Sequence, residues 1–325
     1  MMKLAYILAA SHSGSTLLSM LLGSHLQIAT IGEMKFSPKA IGDINRYRCS
    51  CGAFIVQCEF WLKVKEGMAR RGHPFDLANA GTDYRASESP YVRRLLGPMH
   101  RGRFLEGVRD LALAMSRTWR TQLPVAHQRN AALAATITEI TKSEVVVDSS
   151  KIGVRLKYLL RNPELDVRVI RLIRDGRAVA LTYMDPARFA DAQDPARRAG
   201  GTGGDRVHER LPMARAAWEW RRCNEEAEHI LRGLTRSQWI EVRYEDYCRD
   251  PNAALGRLQQ FLGLESGRSP GMFRVVQQHI VGNGMRLDTT SEIQLDERWR
   301  ESLTGAEIAV FDRIAGDMNR RYGYV

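Results

Sequence analysis

Short apolar runs alternate along this chain with stretches of helical, one-sided polarity. The runs are Leu4–Ala10, Gln27–Ile31, Glu144–Val147, Val167–Ile173 and Trp239–Arg243. Leu4–Ala10 and Val145-Val146-Val147 are unbroken rather than alternating, as expected of strands covered on both faces. Helical patterns occupy Thr16–His25, most of 54–142 with a turn-rich break near Gly72–Pro90, Gly153–Arg161, a segment from Arg177, and Met213–Leu234. Asp250-Pro251 is an N-cap followed by Pro at the first helical position, and predicts a helix over Asn252–Leu262. Thr304-x-x-Glu307 is a capping box opening a last helix to about Arg321. Asp185–Pro212 is rich in Pro, Gly, Asp and Arg without apolar period, and reads as a mobile lid loop.

Strands separated by helices imply a parallel sheet with right-handed crossovers. Ligands in such sheets bind beyond the carboxyl ends of the strands. The polar clusters of this chain follow strands at that end: Ser11–Thr16, Glu33, Ser149–Lys151, Arg174–Arg177 and Tyr244. Ser11-His12-Ser13-Gly14-Ser15-Thr16 stands between the first strand and the first helix. Unpaired backbone N–H groups, the positive helix end and small hydroxyls make such a turn a phosphate cradle. The same hydroxyls could equally serve as an ordinary N-cap. The expected fold is therefore α/β, a P-loop-like three-layer α/β/α arrangement with a parallel sheet and a helical insertion. It is one domain over 1–325, with the insertion at about 54–142 and the lid at about 185–212. The Walker pattern itself fails twice, with Ala9 at the first Gly and Ser15 at the Lys. Without that Lys nothing reaches a γ-phosphate, so a 5′-phosphate or phosphosulfate suits the loop better than a triphosphate.

Arg174-Asp175-Gly176-Arg177 follows a buried strand, with Thr182 two helical turns on. An Arg fork suits phosphate oxygens. In isolation the motif reads equally as Arg174 or Arg177 paired with Asp175. The 325 residues carry a net charge of +11 and are 44% hydrophobic, enough for a core and suited to an anionic ligand. Basic residues are scattered rather than in blocks, so nucleic acid is not the expected partner. Five cysteines, an odd number, exclude a full disulfide framework and suit a reducing, cytoplasmic setting. Cys49-x-Cys51-x6-Cys58 is a local cluster without a fourth near ligand, His73 being the next candidate, and reads as reduced cysteines rather than a metal site. Met1–Ala10 is short for a signal peptide and is interrupted by Ser11, His12 and Ser13; no run is long enough to span a bilayer.

With both motifs in view, the chain resembles the sulfotransferases that use 3′-phosphoadenosine 5′-phosphosulfate (PAPS), above all the tyrosylprotein and carbohydrate branches and bacterial relatives. The first loop looks like their 5′-phosphosulfate loop, [RK]-[ST]-G-[ST]-[ST], with His12 at the basic position. The RDGRA stretch looks like their 3′-phosphate motif. Gly32-Glu33 lies twenty-one positions after His12, as the catalytic Glu does in the tyrosylprotein branch, and Lys151 and Thr182 match its Lys and Ser. Tyr244-Glu245-Asp246, Asp250-Pro251, Phe261-Leu262-Gly263-Leu264, His279, Gly282–Arg286 and Trp299 resemble later family stretches.

The resemblance implies sulfonate transfer to a hydroxyl or amine, leaving adenosine 3′,5′-bisphosphate. It implies that Glu33 takes the acceptor proton, after modest burial raises its pKa, and that Lys151 steadies the leaving oxygen. Ser11, His12, Ser13, Gly14, Ser15 and Thr16 would hold the 5′-phosphosulfate; His12 departs from the family's Arg or Lys and could either be protonated by the bound anion or serve as a base. Arg174, Thr182 and Arg286 would hold the rest of the nucleotide. No metal is required. The acceptor (carbohydrate, lipid, peptide or small metabolite) and the oligomeric state are not legible, and an ATP-dependent kinase is the alternative. Trp218 and Trp220 read as surface and core packing, Asp148 as a cap on the turn before Lys151, and Tyr244 as a buried hydrogen-bonding residue.

Overall fold

The computed structural model describes residues 1–36, 43–97, 102–201, 207–265, 273–274, 278–290 and 292–325. Five strands form one all-parallel sheet: β1 (Met2–Leu8), β2 (Ile28–Thr30), β3 (Val145–Lys151), β4 (Leu165–Ile173) and β5 (Trp239–Arg243). The order across the sheet is β2-β3-β1-β4-β5. The chain thus builds one side of β1, then crosses to the other. The switch beside β1 leaves a crevice at the carboxyl ends of β1, β3 and β4.

Why the runs are apolar on both faces is visible in the layers. Leu4, Tyr6, Leu8, Val146 and Val169 pack into one core, and Ala5, Ile7, Val145, Val147, Ile170 and Val242 into another on the opposite face. Helix α1 (Ser15–Leu22) covers the second face. The first face is covered by the insertion between β2 and β3: α2 (Glu59–Arg70), α3 (Pro90–Leu95), α4 (Gly102–Met115) and α5 (Arg117–Thr141). Residues 98–101 of that insertion lie outside the described residues. A third core joins α7 (Gly176–Met184), α8 (Met213–Leu231) and the C-terminal helices around the fully buried Trp220. Trp218, by contrast, is 39% exposed. Thr304 makes the predicted capping box, and the last helix passes through a π-turn at Asp312–Gly316.

Two elements differ from the sequence reading. β3 does not stop at Val147 but runs on through Asp148-Ser149-Ser150 to Lys151. Asp148 is completely buried and is more than a turn cap. Its Oδ2 accepts from Arg155 Nε at 2.8 Å, and its Oδ1 accepts from Ser150 N at 2.9 Å and Met34 N at 3.2 Å. Arg155 comes from α6 (Gly153–Leu159) and is itself fully buried. A charge so neutralised can occupy a strand interior. The segment 185–212 forms short helical turns at Pro186–Phe189, Pro195–Arg197, Arg198–Gly201 and Val207–Glu209 rather than open loop; residues 202–206 lie outside the described residues.

Candidate active site

The crevice is a cleft of about 1310 Å³. It is lined by Ser11, His12, Gly14, Ser15 and Thr16, by Glu33, Lys35 and Lys151, by Arg174 and Thr182, and by parts of 183–211 and 273–298. One cavity therefore gathers five of the polar clusters that follow separate strands.

The loop before α1 is held open rather than capped. Gly14 is the N-cap residue, in the left-handed region at φ 88°, and no side chain caps the helix. The ordinary N-cap reading of Ser11 and Ser13 is thereby removed. A Cβ at Gly14 would run into the Tyr247 hydroxyl and the Tyr244 ring. Tyr247 donates to Gly14 O at 2.8 Å and so pins the turn from below. His12 is also left-handed, at φ 64°, which is uncommon for a residue with a Cβ. Its ring meets Tyr183 edge-on, with centroids 4.7 Å apart. Ser13 is buried and does not line the cleft.

Arg174 lies opposite this loop, 5% exposed. It donates to His12 O at 2.9 Å and to Asp296 Oδ2 at 2.9 Å, over the Tyr244 ring at 4.2 Å. Its Nε is buried without a partner among the described residues. Asp296 is held at about 2: burial would raise it, and the guanidiniums of Arg298 and Arg174 outweigh that. Asp175 caps α7 by accepting from Arg177 N at 2.9 Å and pairs with the Arg177 guanidinium at 2.8 Å. The structural reading of the RDGR motif thus holds for Arg177, not for Arg174. Glu245 accepts from Asp175 N at 3.1 Å, so Tyr244-Glu245 braces Arg174-Asp175. Thr182 lines the cleft, but its hydroxyl donates to Ala178 O at 2.9 Å. To donate to an anion it must leave that carbonyl, since a hydroxyl has one hydrogen.

Glu33 sits between two ammoniums. Lys151 Nζ bonds its Oε1 and also donates to Ser149 O at 3.2 Å; Lys35 Nζ lies 2.9 Å from its Oε2. Burial alone would raise the Glu33 carboxyl, but Lys151 and Lys35 outweigh it and hold the group well below the usual carboxylate range. The expected upward shift is therefore reversed. The placement of the pair follows from the buried end of β3: Asp148 accepts from Met34 N, Ser150 Oγ accepts from Lys35 N at 3.2 Å, and Lys151 is left-handed at φ 69°.

Arg286 is a correction. It is 2% exposed and does not line the cleft. Its guanidinium donates to four backbone carbonyls, Ile280, Gly282, Asn283 and Arg48, and covers the Tyr47 ring at 4.8 Å. Those bonds shape the 280–286 loop and engage four of the five guanidinium N–H donors, away from the cleft lining. The sequence reading missed Lys35, Tyr247 and Asp296. Lys35 stands two residues from Glu33 and Tyr247 one turn from Tyr244, so both had a local signal. Asp296 had none.

No protein-family model matches the chain. It is 32% identical over 180 residues to carbohydrate sulfotransferase 5 of Mus musculus, covering 51% of this chain and 44% of the mouse protein. It is 27% identical over 186 residues to carbohydrate sulfotransferase 2 of Homo sapiens, covering 47% of this chain and 34% of the human protein. The chain thus spans less than half the length of these relatives. The fold matches the sulfotransferase domain from the curacin biosynthetic pathway with a TM-score of 0.51 at 14% identity, over 100% of this chain and 99% of that one. It matches sulfotransferase STF9 from Mycobacterium avium with a TM-score of 0.50 at 12% identity, over 100% and 78%. Among the described residues no helix is long and apolar enough to cross a membrane.

Proposed function

We propose that this chain, similar in sequence to carbohydrate sulfotransferases and in fold to a sulfotransferase domain, moves a sulfonate group from PAPS to a hydroxyl or amine acceptor. The observation that carries the reading is the Glu33–Lys151 pair standing in the same cleft as an uncapped helix N-terminus and a buried arginine. A kinase reading lacks the Lys that a γ-phosphate needs. The site suits the nucleotide on its own terms: the uncapped first turn of α1 and the Nε of Arg174, unpartnered among the described residues, are both anion donors.

When bound, PAPS supplies the activated sulfonate. The chain positions and stabilises, as in phosphoryl transfer. The loop from Ser11 to Thr16 holds the 5′ end through backbone N–H groups and the Ser15 and Thr16 hydroxyls. Arg174 takes the 3′-phosphate, exchanging Asp296 for it, with Thr182 alongside. That reader excludes ATP. Lys151 turns from Glu33 to the oxygen that leaves. Losing that ammonium raises the proton affinity of Glu33, which then accepts the acceptor's proton. His12, within that loop and lining the cleft, steadies the transferred group. We read 1–325 as one catalytic unit in which 185–212 serves as a lid and, with the insertion, shapes the acceptor pocket. The acceptor class stays open among carbohydrate, lipid, peptide and small metabolite. A cytoplasmic setting is supported by five cysteines, none in a disulfide.

Thermal unfolding at matched concentrations of adenosine 3′,5′-bisphosphate, ATP and AMP tests the reading, since a ligand of the folded state raises the midpoint. A rise with the bisphosphate alone is expected. A rise with ATP alone favours the kinase, and no rise with any removes the nucleotide site.

A further inference from the structure

Outside the cleft, the tertiary structure assembles four metal-ligating side chains that the sequence keeps apart. Cys49, Cys51 and Cys58 meet not His73 but His279, more than two hundred residues on. All four ligand atoms lie within 4.8 Å of one another. Cys51 Sγ is 3.7 Å from Cys58 Sγ. His279 Nδ1 is 3.6 Å from Cys49 Sγ and 3.3 Å from Cys58 Sγ.

The three distances of 3.3–3.7 Å match the edges of a coordination tetrahedron, and the widest of the remaining pairs, within 4.8 Å, would close by about 1 Å on binding an ion. Metal–sulfur and metal–nitrogen distances of about 2.3 and about 2.0 Å give edges of about 3.8 Å between sulfurs and about 3.5 Å from sulfur to nitrogen. We propose that Cys49, Cys51, Cys58 and His279 form a structural zinc site. Three thiolates and one imidazole select zinc over oxygen-seeking cations. Four protein ligands leave no open position, so the ion is a staple rather than a catalyst.

The surroundings hold the ligands in place. Cys49 N donates to Ala53 O and Gly52 N to Cys49 O, both at 2.9 Å, closing a tight turn with Gly52 at φ 89°. Ser50, between the first two cysteines, grips both sides of His279: its Oγ donates to Gln278 O at 2.6 Å and accepts from Ile280 N at 2.8 Å. The Phe60 ring stacks on the imidazole, 4.4 Å between centroids and 2° from parallel. Such outer contacts orient a ligating histidine.

The staple joins the cysteine turn to the backbone that flanks the cleft. Val281 N donates to Ile31 O at 2.9 Å, next to Gly32 and Glu33. The metal therefore fixes the strap against which the Glu33 loop lies, and the inference stands whatever reaction the cleft performs.

Metal analysis of the full chain, expressed with zinc and purified without a metal-affinity step, tests it. About one zinc per chain is expected, because binding and folding are coupled in such sites. Cobalt(II) exchanged into the site should give the intense visible bands of a tetrahedral thiolate complex. Cys51→Ser, at an exposed position, and His279→Ala should each lose the zinc and the bands, whereas Cys223→Ser should keep both. A folded wild-type chain with neither zinc nor cobalt bands overturns the proposal. So does zinc that survives in both Cys51→Ser and His279→Ala, or a disulfide between Cys51 and Cys58 in the isolated protein.

Discussion

The guanidinium of Arg174 donates to Asp296 Oδ2 at 2.9 Å, inside the cleft and against the Tyr244 ring. In the proposed reaction this carboxylate holds the place of the 3′-phosphate. Asp296→Asn keeps the shape and removes the competing charge. Calorimetric titration should then show adenosine 3′,5′-bisphosphate binding about fivefold tighter, the equivalent of about 1 kcal/mol. Equal weakening would mean that the charge of Asp296 is needed to aim Arg174.

The same carboxylate sets an acid limb of stability. Its folded pKa, about 2, lies below the unfolded one, so its contribution is present above about pH 3.9 and is lost as pH falls toward 2. Wild type should lose stability relative to Asp296→Asn across that window. Denaturant titrations at pH 2.5, 4 and 6 check the sign, and parallel curves would contradict it.

Glu33→Gln separates binding from transfer. Bisphosphate affinity should change little, while transfer to any acceptor found by screening should fall about a hundredfold or more, the scale of a lost general base. Lys151→Ala should also lose transfer. A Glu33→Gln protein with near-normal turnover would end the base assignment.

Asp148 and Arg155 are each fully buried and paired. Asp148→Ala leaves an uncompensated guanidinium and should cost about 3–5 kcal/mol of unfolding free energy. Asp148→Leu combined with Arg155→Met should recover most of it. If the single variant unfolds like wild type, the pair does not hold the end of β3.

Gly14→Ala places a methyl at a left-handed φ against Tyr247 and Tyr244. It should cost about 1–3 kcal/mol of stability and weaken bisphosphate binding more than tenfold. Arg286→Met, buried in loop carbonyls, should instead lower the melting temperature with no selective loss of affinity at saturating folding conditions.

The sequence by itself determined the layered frame and the contents of the cleft. Unbroken runs such as Leu4–Ala10 and Val145-Val146-Val147 read as strands covered on both faces, and parallel strands bring the residues after them to one edge. Ser11–Thr16, Glu33, Lys151 and Arg174 were legible for that reason. What each side chain does there was decided by partners far along the chain. Asp296 reaches Arg174, Asp148 is neutralised by a helix that follows it, Arg286 spends four of its five donors on carbonyls, and His279 closes on three cysteines from the other end of the fold. Local patterns report burial and direction, which are properties of one segment. Charge state, hydrogen-bond satisfaction and coordination are properties of what another segment brings, and only the folded chain supplies that.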